Sequence, residues 1–494
     1  MSSKIGRFPS GNPRTIKIQK ELSKRSLDAE KLVYCYECGT CTAACPVVKV
    51  FPRHYNPRVF FEKASLDLEK VLTEAGLWLC AICYRCHKRC PHGLKLPEIF
   101  LSLREVAVEQ GYLPDVPSKL EEILTILREE FPFPLVYSWL CLRPCEEESK
   151  RSKLDNLVLD VLQRSLADYK KKEVAPLPKV HREKLAIIGS GPAGLTAAWE
   201  LVRMGFQVIV FEALPEPGGM LRVGIPEYRL PKEVLDVEIE YIKDLGVEIR
   251  TNTTIGKDLT FNSLLKEYKA IFIATGAHRS RTLHVEGENI EGVVHALDLL
   301  HQANLQKRPR PGEKVGVVGG GNTAMDAART ALRLGAKEVN ILYRRSREEM
   351  PANPLEVEEA ERDGIKIHFL LTPRKILGKN KQVVAMECIR MRLGPPDESG
   401  RRRPIPIEGS EFTMELDTTI LAIGESPDVS FLPEEVELTE QNTIVVDPLT
   451  LETSMSGVFA GGDVVSGPAT VIEAIAAGKT AALSIDRYLR EGGV

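Results

Sequence analysis

No stretch of this 494-residue sequence holds the roughly 18 consecutive, nearly uncharged apolar residues that a helix needs to cross a bilayer. The longest apolar candidate, Phe131 to Leu142, is short and interrupted by Pro132 and Pro134. The N-terminus reads Met-Ser-Ser-Lys and continues polar and basic, without the apolar core and small-residue cleavage site of a secretory signal. No membrane span is expected, and a reducing, cytoplasmic setting is. An excess of one charge is also missing: 66 Lys and Arg stand against 69 Asp and Glu, a net of -3. There is then no global basic field to hold phosphates, and no nucleic-acid partner is expected. The 43% hydrophobic and 27% charged fractions are those of a folded globular protein, with length for about three domains.

Cysteine is nearly absent from residue 181 onward, where Cys388 stands alone, because ten of the eleven cysteines fall in the first 145 residues. Eight of those form two runs of identical spacing, Cys35, Cys38, Cys41, Cys45-Pro46 and Cys80, Cys83, Cys86, Cys90-Pro91, with each second-run cysteine 45 positions after its counterpart. This C-x2-C-x2-C-x3-C-P pattern is an internal repeat built around its cysteines, and a loop presenting every third side chain suits a [4Fe-4S] cubane. In two-cluster ferredoxins the fourth cysteine of each run ligates the other cluster. That rule assigns Cys35, Cys38, Cys41 and Cys90 to one cluster, and Cys80, Cys83, Cys86 and Cys45 to the other. Structural zinc also uses paired C-x2-C knuckles but gives no reason for the trailing Cys-Pro, and disulfides are rarely kept in the cytosol.

The connector Val47 to Leu79 is too long for a small β-type ferredoxin, and Val59 to Ala75 spaces its apolar residues as a helix does. A helical two-cluster module is expected. Its two motifs, Cys-Tyr-Glu-Cys-Gly-Thr-Cys-Thr-Ala-Ala-Cys-Pro and Cys-Ala-Ile-Cys-Tyr-Arg-Cys-His-Lys-Arg-Cys-Pro, resemble the two-cluster subunit of heterodisulfide reductases over about residues 30 to 115. Cys141 and Cys145 are too few for a third site and read as ordinary thiols. His87 and His92 receive no role. The segment Phe131 to Leu140 reads either as a partner-docking patch or as a core element.

From Lys184 the texture becomes strand followed by glycine loop. Lys-Leu-Ala-Ile-Ile-Gly189-Ser-Gly191-Pro-Ala-Gly194 is a G-x-G-x-x-G fingerprint between a strand and a helix. Gly189 serves the turn, Gly191 the approach of pyrophosphate, and Gly194 the packing of helix on strand. The next strand ends at Glu212, placed to accept from ribose hydroxyls without a 2'-phosphate. Gly218 and Gly219 follow in a turn suited to the flavin end of FAD. The strand ending at Thr275-Gly276, the segment Gly461-Gly462-Asp463, and a helix starting near Thr470 bracket the same cofactor.

A second fingerprint, Gly319-Gly-Gly321-Asn322-Thr-Ala324, lies between these parts, and its next strand ends in Tyr343-Arg344-Arg345-Ser-Arg347 instead of an acid. Arginine there suits a 2'-phosphate, so Arg344 and Arg345 favour NADP(H) over NAD(H). Arg401 to Arg403 read as a solvated face.

These segments predict an α/β flavoprotein with two dinucleotide-binding domains, nested and Rossmann-like, preceded by an all-α two-cluster ferredoxin domain. The expected bounds are 1–130 for the ferredoxin-like domain, 131–180 for a helical linker, 181–300 plus 411–494 for FAD, and 301–410 for NAD(P)H. Gly-Ser-Gly-Pro-Ala-Gly, Gly-Gly-Met-Leu-Arg-Val-Gly-Ile-Pro, Tyr-Arg-Arg-Ser-Arg-Glu-Glu-Met-Pro-Ala and Gly-Val-Phe-Ala-Gly-Gly-Asp resemble the small subunit of NADPH glutamate synthase and the large subunit of NADH-dependent ferredoxin:NADP oxidoreductase, over residues 181 to 494. Members of that group usually carry an irregular cysteine pattern before the FAD fingerprint, whereas Glu146 to Arg182 has no cysteine here.

The resulting expectation is an NAD(P)H-dependent oxidoreductase subunit holding FAD, NADP(H) and two [4Fe-4S] clusters. It would pass electrons to or from other redox subunits or a ferredoxin within a hetero-oligomer, and would name no acid-base catalyst because the cofactors carry the chemistry. The ferredoxin:NADP oxidoreductase resemblance leaves bifurcation open, and service as the glutamate synthase reducing subunit is the narrower alternative. A cofactor-stabilised scaffold is the alternative of another class. A pyridine nucleotide-disulfide reductase would need a dithiol near the flavin, which Cys388 alone does not supply.

Overall fold

The computed structural model describes residues 38–44, 56–66, 68–74, 77, 86, 90–91, 94, 96–109, 128, 131–140, 175–305, 307, 309–397 and 400–492. The chain divides into two compact units, Met1–Lys170 and Lys171–Val494.

In the first unit the elements among the described residues are helices: Thr40–Ala44, Pro57–Leu66, Leu68–Leu72, Leu96–Glu109 and Pro134–Leu140. Leu96, Ile99, Phe100, Leu103, Val106 and Ala107 are buried, the three-four spacing of an amphipathic helix with one face inward. Phe100 meets Phe60 with ring centroids 5.0 Å apart. Asn56 starts the Pro57–Leu66 helix, its Oδ1 accepting from the backbone of Arg58 at 3.1 Å and from the Thr42 hydroxyl at 2.7 Å. The cysteine-bearing Thr40–Ala44 turn is thereby tied to the connector. In Pro134–Leu140 the residues Phe133, Leu135 and Val136 around its start are buried and Tyr137 is partly exposed, so this segment contributes to the core of its unit.

The second unit is built on two parallel sheets. β1 (Lys184–Ile188), β2 (Gln207–Phe211), β3 (Glu248–Arg250) and β4 (Ala270–Ile273) stand in the order β4-β1-β2-β3. β5 (Arg279–Ser280) leaves this sheet, and β6 (Val293–His295), β7 (Lys314–Val318), β8 (Glu338–Tyr343) and β9 (Lys366–Phe369) follow. An antiparallel group comes next, β10 (Leu371–Lys379), β11 (Gln382–Pro396), β12 (Arg402–Pro406) and β13 (Phe412–Glu415). β14 (Thr418–Leu421) then enters between β6 and β7, which gives the parallel order β6-β14-β7-β8-β9. β15 (Glu425–Ser426) pairs antiparallel with β5, and β16 (Val458–Ala460) returns beside β4 to complete the first sheet.

Of the helices α1 (Pro192–Arg203), α2 (Met220–Val223), α3 (Ala296–Asn304), α4 (Asn322–Arg333), α5 (Pro354–Arg362) and α6 (Val471–Arg490), α1, α3, α4 and α6 pack on these sheets, while α2 and α5 pack on other helices. Strands β1, β2, β7 and β8 are buried at every position but the first, as strands covered on both faces must be. Each fully buried Val, Ile or Leu there contributes about 1.5–3 kcal/mol of transfer free energy. α6 lies close along α1 because Gly478 has no side chain: a Cβ would overlap the Ala193 carbonyl oxygen and stand 2.8 Å from Thr196 Cβ.

The boundaries depart from those expected. Val293–His295 and Thr418–Leu421 belong to the second sheet, so the nicotinamide half takes one strand on either side of 301–410. The second unit also begins before 181, because the Leu177 and Val180 amides donate to Leu245 O at 3.0 Å and Gly205 O at 2.9 Å. Residues 141–174 of the expected linker, with Cys141 and Cys145, lie outside the described residues.

Candidate functional site

The first fingerprint is shaped by what its glycines avoid. Gly189 has φ +104°, and a Cβ on it would overlap the Ala274 carbonyl at the end of β4. A Cβ on Gly194 would overlap the Gly189 carbonyl, so only glycine lets α1 begin this close to its strand. Gly191 caps α1, and nothing lies within 4 Å of where its Cβ would be. That open space at a helix N-terminus fits a pyrophosphate.

Ser190, which sequence reasoning passed over as a spacer, organises the loop. Its amide and hydroxyl donate to Glu212 Oε2 at 2.9 and 2.5 Å, and its Oγ accepts from the Gly218 amide at 3.1 Å. Glu212 Oε1 accepts from the Leu214 amide at 2.8 Å. With about four lone-pair sites on a carboxylate, the buried Glu212 retains acceptor capacity for a ribose hydroxyl. Gly219 lies against the fingerprint, its Cβ position 2.7 Å from Gly191 Cα.

Around this cradle Thr275 Oγ1 is buried without a hydrogen-bond partner among the described residues, and Gly276 follows it. An orphaned hydroxyl at a strand end fits a cofactor oxygen. A Cβ on Gly462 would stand 3.1 Å from Ala193 Cβ. Asp463 accepts from the Ala469 amide at 3.2 Å; burial pushes its carboxyl up to about 6, and Glu425 and Glu473 add to the rise. Thr470 caps α6, donating to Glu473 Oε2 at 2.6 Å and accepting from the Glu473 amide at 3.3 Å. Its hydroxyl therefore serves the capping box first.

The second fingerprint repeats the design. A Cβ on Gly319 would overlap the Ala422 carbonyl just beyond β14, whereas Gly321 opens onto free space at the start of α4. Asn322 Oδ1 accepts from the Asn353 amide at 2.9 Å, which ties that helix start to the approach of α5.

The two arginines after β8 separate. Arg344 is exposed; desolvation of its stem and the Arg345 and Arg401 guanidiniums lower its pKa. Like charges gathered at an exposed strand end are what an anionic group would relieve. Arg345 departs from the expected phosphate role. It is buried, with Nε donating to Arg402 O at 2.8 Å and Nη2 paired with Asp397 Oδ2 at 2.5 Å. Arg402 in turn pairs with Glu349, so the loop read as a solvated face is fastened to this strand end and brings Arg401 to it.

Four of the eight repeat cysteines are described. Cys38 is exposed, Cys41 and Cys86 are buried, and Cys90 is intermediate. Cys38 Sγ lies 3.2 Å from Thr40 Oγ1, and hydrogen bonding from Thr40 lowers its thiol pKa, which favours the thiolate that iron requires. Cys35, Cys45, Cys80 and Cys83 lie outside the described residues. In the second unit Cys388 is buried in β11, and burial pushes its thiol up to about 12.

Comparison with known proteins agrees with these two halves. The pyridine nucleotide-disulphide oxidoreductase profile matches residues 183–478, and a 4Fe-4S dicluster domain matches residues 31–94. The NADP(+)-dependent formate dehydrogenase subunit beta of Moorella thermoacetica is 44% identical over 436 residues, 82% of this chain and 60% of that one. The NADPH glutamate synthase small chain of Escherichia coli K12 is 38% identical over 324 residues, 62% of this chain and 69% of that one. The structure of Mycobacterium tuberculosis FprA in complex with NADPH superposes with a TM-score of 0.54 at 19% identity, over 63% of this chain and 85% of that one; it shows the shared fold. The chain spans three fifths of the length of the formate dehydrogenase subunit. No helix among the described residues is long and apolar enough to cross a membrane. The chain belongs to the pyridine nucleotide-disulphide oxidoreductase family, binding FAD and NADP, with two [4Fe-4S] clusters in a fused dicluster domain.

Proposed function

We propose that this chain exchanges electron pairs with NADP(H) in its second unit and passes single electrons through its two clusters, to or from a partner redox subunit or a ferredoxin. The carrying observation is that the second unit holds one cysteine, Cys388, buried and with a raised thiol pKa. A dithiol exit is therefore closed to this family member, and the dicluster domain is the redox group left to receive electrons. Bound FAD supplies the conversion between hydride and single-electron transfer.

The protein's own residues bind and orient. Gly189, Gly191, Gly194, Ser190, Glu212, Gly218 and Gly219 hold the adenosine and pyrophosphate of FAD. Thr275, Gly276, Gly462 and Asp463 border its other end, with Thr470 setting the start of α6. Gly319, Gly321 and Asn322 seat the second pyrophosphate, and Arg344 takes the 2'-phosphate while Arg345 braces the loop behind it. Ligation of the clusters follows the crossed pattern, Cys35, Cys38, Cys41 with Cys90 and Cys80, Cys83, Cys86 with Cys45.

Likeness to the formate dehydrogenase and glutamate synthase chains supports a place as the nucleotide-handling subunit of a hetero-oligomer in the cytoplasm. The test is anaerobic rapid mixing of the purified protein with NADPH or NADH. NADPH is expected to bleach the flavin faster, with cluster absorbance following. Flavin that reduces while the clusters never do, with or without added ferredoxin, refutes the reading.

A further inference from the structure

The nicotinamide and FAD halves of the second unit are joined by a buried ionic network that the cofactor cradles do not require. Arg229, on the chain that runs from Gly219 through α2, reaches across to the nicotinamide half. Its Nη1 pairs with Asp326 Oδ2 at 2.6 Å, and its Nε with Glu356 Oε1 at 3.0 Å. The three side chains are 15, 7 and 16% exposed. Asp326 lies in α4, one turn beyond Asn322, and Glu356 lies in α5. The second oxygen of Glu356 accepts from Arg329 at 3.0 Å, and Arg329 also holds Glu359 at 2.7 Å and Asp363 at 2.9 Å.

Tyr228 fills the space beside this pair. Its ring lies against the Arg333 and Arg329 guanidiniums, 4.1 and 4.8 Å from the centroid, and its hydroxyl is 3.4 Å from Asp326 Oδ1. A third contact comes from α3, where Asn304 Nδ2 donates to the Val223 and Ile225 carbonyls at 2.9 and 3.1 Å. The covalent crossings lie elsewhere, in the β5–β15 ribbon, with the Arg281 amide donating to Gly424 O at 3.0 Å.

Burying charges is a poor route to stability, because desolvation offsets most of the attraction. What a guanidinium bridging two carboxylates supplies is direction: Arg229 reaches both Asp326 and Glu356 only when α4 and α5 sit at one angle to the FAD half. A two-strand ribbon alone would act as a hinge.

We propose that Arg229 and Tyr228 are positioning residues, registering the nucleotide-bearing helix α4 against the FAD cradle in a single orientation. Nicotinamide and flavin then meet without rotation of one half against the other. This rests on the function proposed above for the two halves. It is consequential because a misplacement of about 1 Å can slow a transfer roughly 100-fold.

The experiment uses the full-length holoprotein and the variants Arg229→Met, Arg229→Lys and Tyr228→Leu. Spin labels are attached through ketone-bearing unnatural amino acids at Lys257 in the FAD half and Lys381 in the nicotinamide half, both exposed, so native thiols are untouched. One narrow distance is expected for the unmodified sequence, and a broadened or second distance for Arg229→Met. At saturating NADPH, flavin bleaching should slow about 30- to 100-fold in that variant. Half-saturating NADPH should stay within about twofold, because the cradle itself is intact. Arg229→Lys, which keeps one charge contact, should recover most of the rate. If Arg229→Met does not fold, Tyr228→Leu keeps both ion pairs, removes the packed ring and carries the same readouts with smaller changes. An unchanged distance distribution, an unchanged rate, or a loss confined to NADPH affinity overturns the proposal. If NADPH fails to reduce the unmodified protein, the function reading falls, while the distance comparison still decides the register.

Discussion

The separation of Arg344 from Arg345 yields a prediction that neither residue gives alone. Arg344→Gln removes an exposed guanidinium from the end of β8 and leaves the fold untouched. One charge-assisted hydrogen bond to a phosphate is worth about 1.5–3 kcal/mol; exposure to solvent places Arg344 at the low end. At about 1.4 kcal/mol per decade, NADPH affinity should fall roughly tenfold and NADH affinity by less than about twofold. Arg345→Gln should act on the fold instead, without selecting between the nucleotides. It removes a buried partner from Asp397 and from the Arg402 carbonyl, at a cost of about 2 kcal/mol, reduced from the fully buried case because Asp397 is a quarter exposed. In a unit that runs from Lys171 to Val494 that lowers the melting temperature by about 3 °C and weakens both nucleotides alike. Titration of flavin bleaching with each nucleotide, alongside thermal unfolding, reads both effects. Equal loss of NADPH and NADH in Arg344→Gln, or NADPH-selective loss in Arg345→Gln, would refute the assignment.

Other consequences are open to measurement. Burial, with His301 beside it, pushes His278 down to about 4 from 6.5. The unfolded chain then binds the extra proton, so stability is lost as pH falls from about 6.5 toward 4, by up to about 3 kcal/mol. Asp326 and Asp463, both raised to about 6 mainly by burial, act in the opposite sense over a similar window. The discriminating quantity is thus His278→Phe minus the native protein, and a difference that does not change between pH 7 and 4.5 would show that His278 is not buried neutral. Cys388→Ala should leave NADPH-driven flavin and cluster reduction within about twofold, with a stability loss of about 1 kcal/mol for the vacated volume; abolished electron transfer would point to a thiol mechanism. Gly478→Val should force α6 away from α1 and release FAD, seen as loss of bound flavin absorbance after gel filtration; retained flavin and an unchanged melting temperature would contradict the close packing described.

What was legible in the sequence was whatever sterics or spacing write locally. Gly194 is glycine because the Gly189 carbonyl of its own loop stands where a side chain would go, and Gly189 and Gly319 because carbonyls at the ends of neighbouring strands do; a short window around each displays the strand, turn and helix that carry the motif. The cysteine repeat was readable for the same reason. Features set by distant partners were not. Adjacent arginines face opposite ways, and Asp397 and the Arg402 carbonyl, both far along the chain, decide that Arg345 is the one turned inward. The three- and four-residue strands β6 and β14 are too short to carry a periodic signal, and their membership in the second sheet depends on β14 returning from far along the chain to pair with β6 on one side and β7 on the other. The antiparallel group β10–β13 was likewise hidden behind the expectation of alternating strand and helix. Arg229 and Asp326 lie 97 positions apart, and nothing in either neighbourhood announces the other.

The nesting of one sheet inside the other has a bearing on biosynthesis. All strands of the inner sheet are present once Leu421 has been made, whereas the outer sheet waits for Val458–Ala460 and its principal cover for Val471–Arg490. On a translating ribosome the inner half can therefore close first, with Gly189 to Gly194 held ready but lacking the helix that Gly478 lets in. Loading of the flavin would then be among the last events of maturation, and a nascent chain stalled before residue 458 should retain nicotinamide nucleotide on a column while releasing FAD.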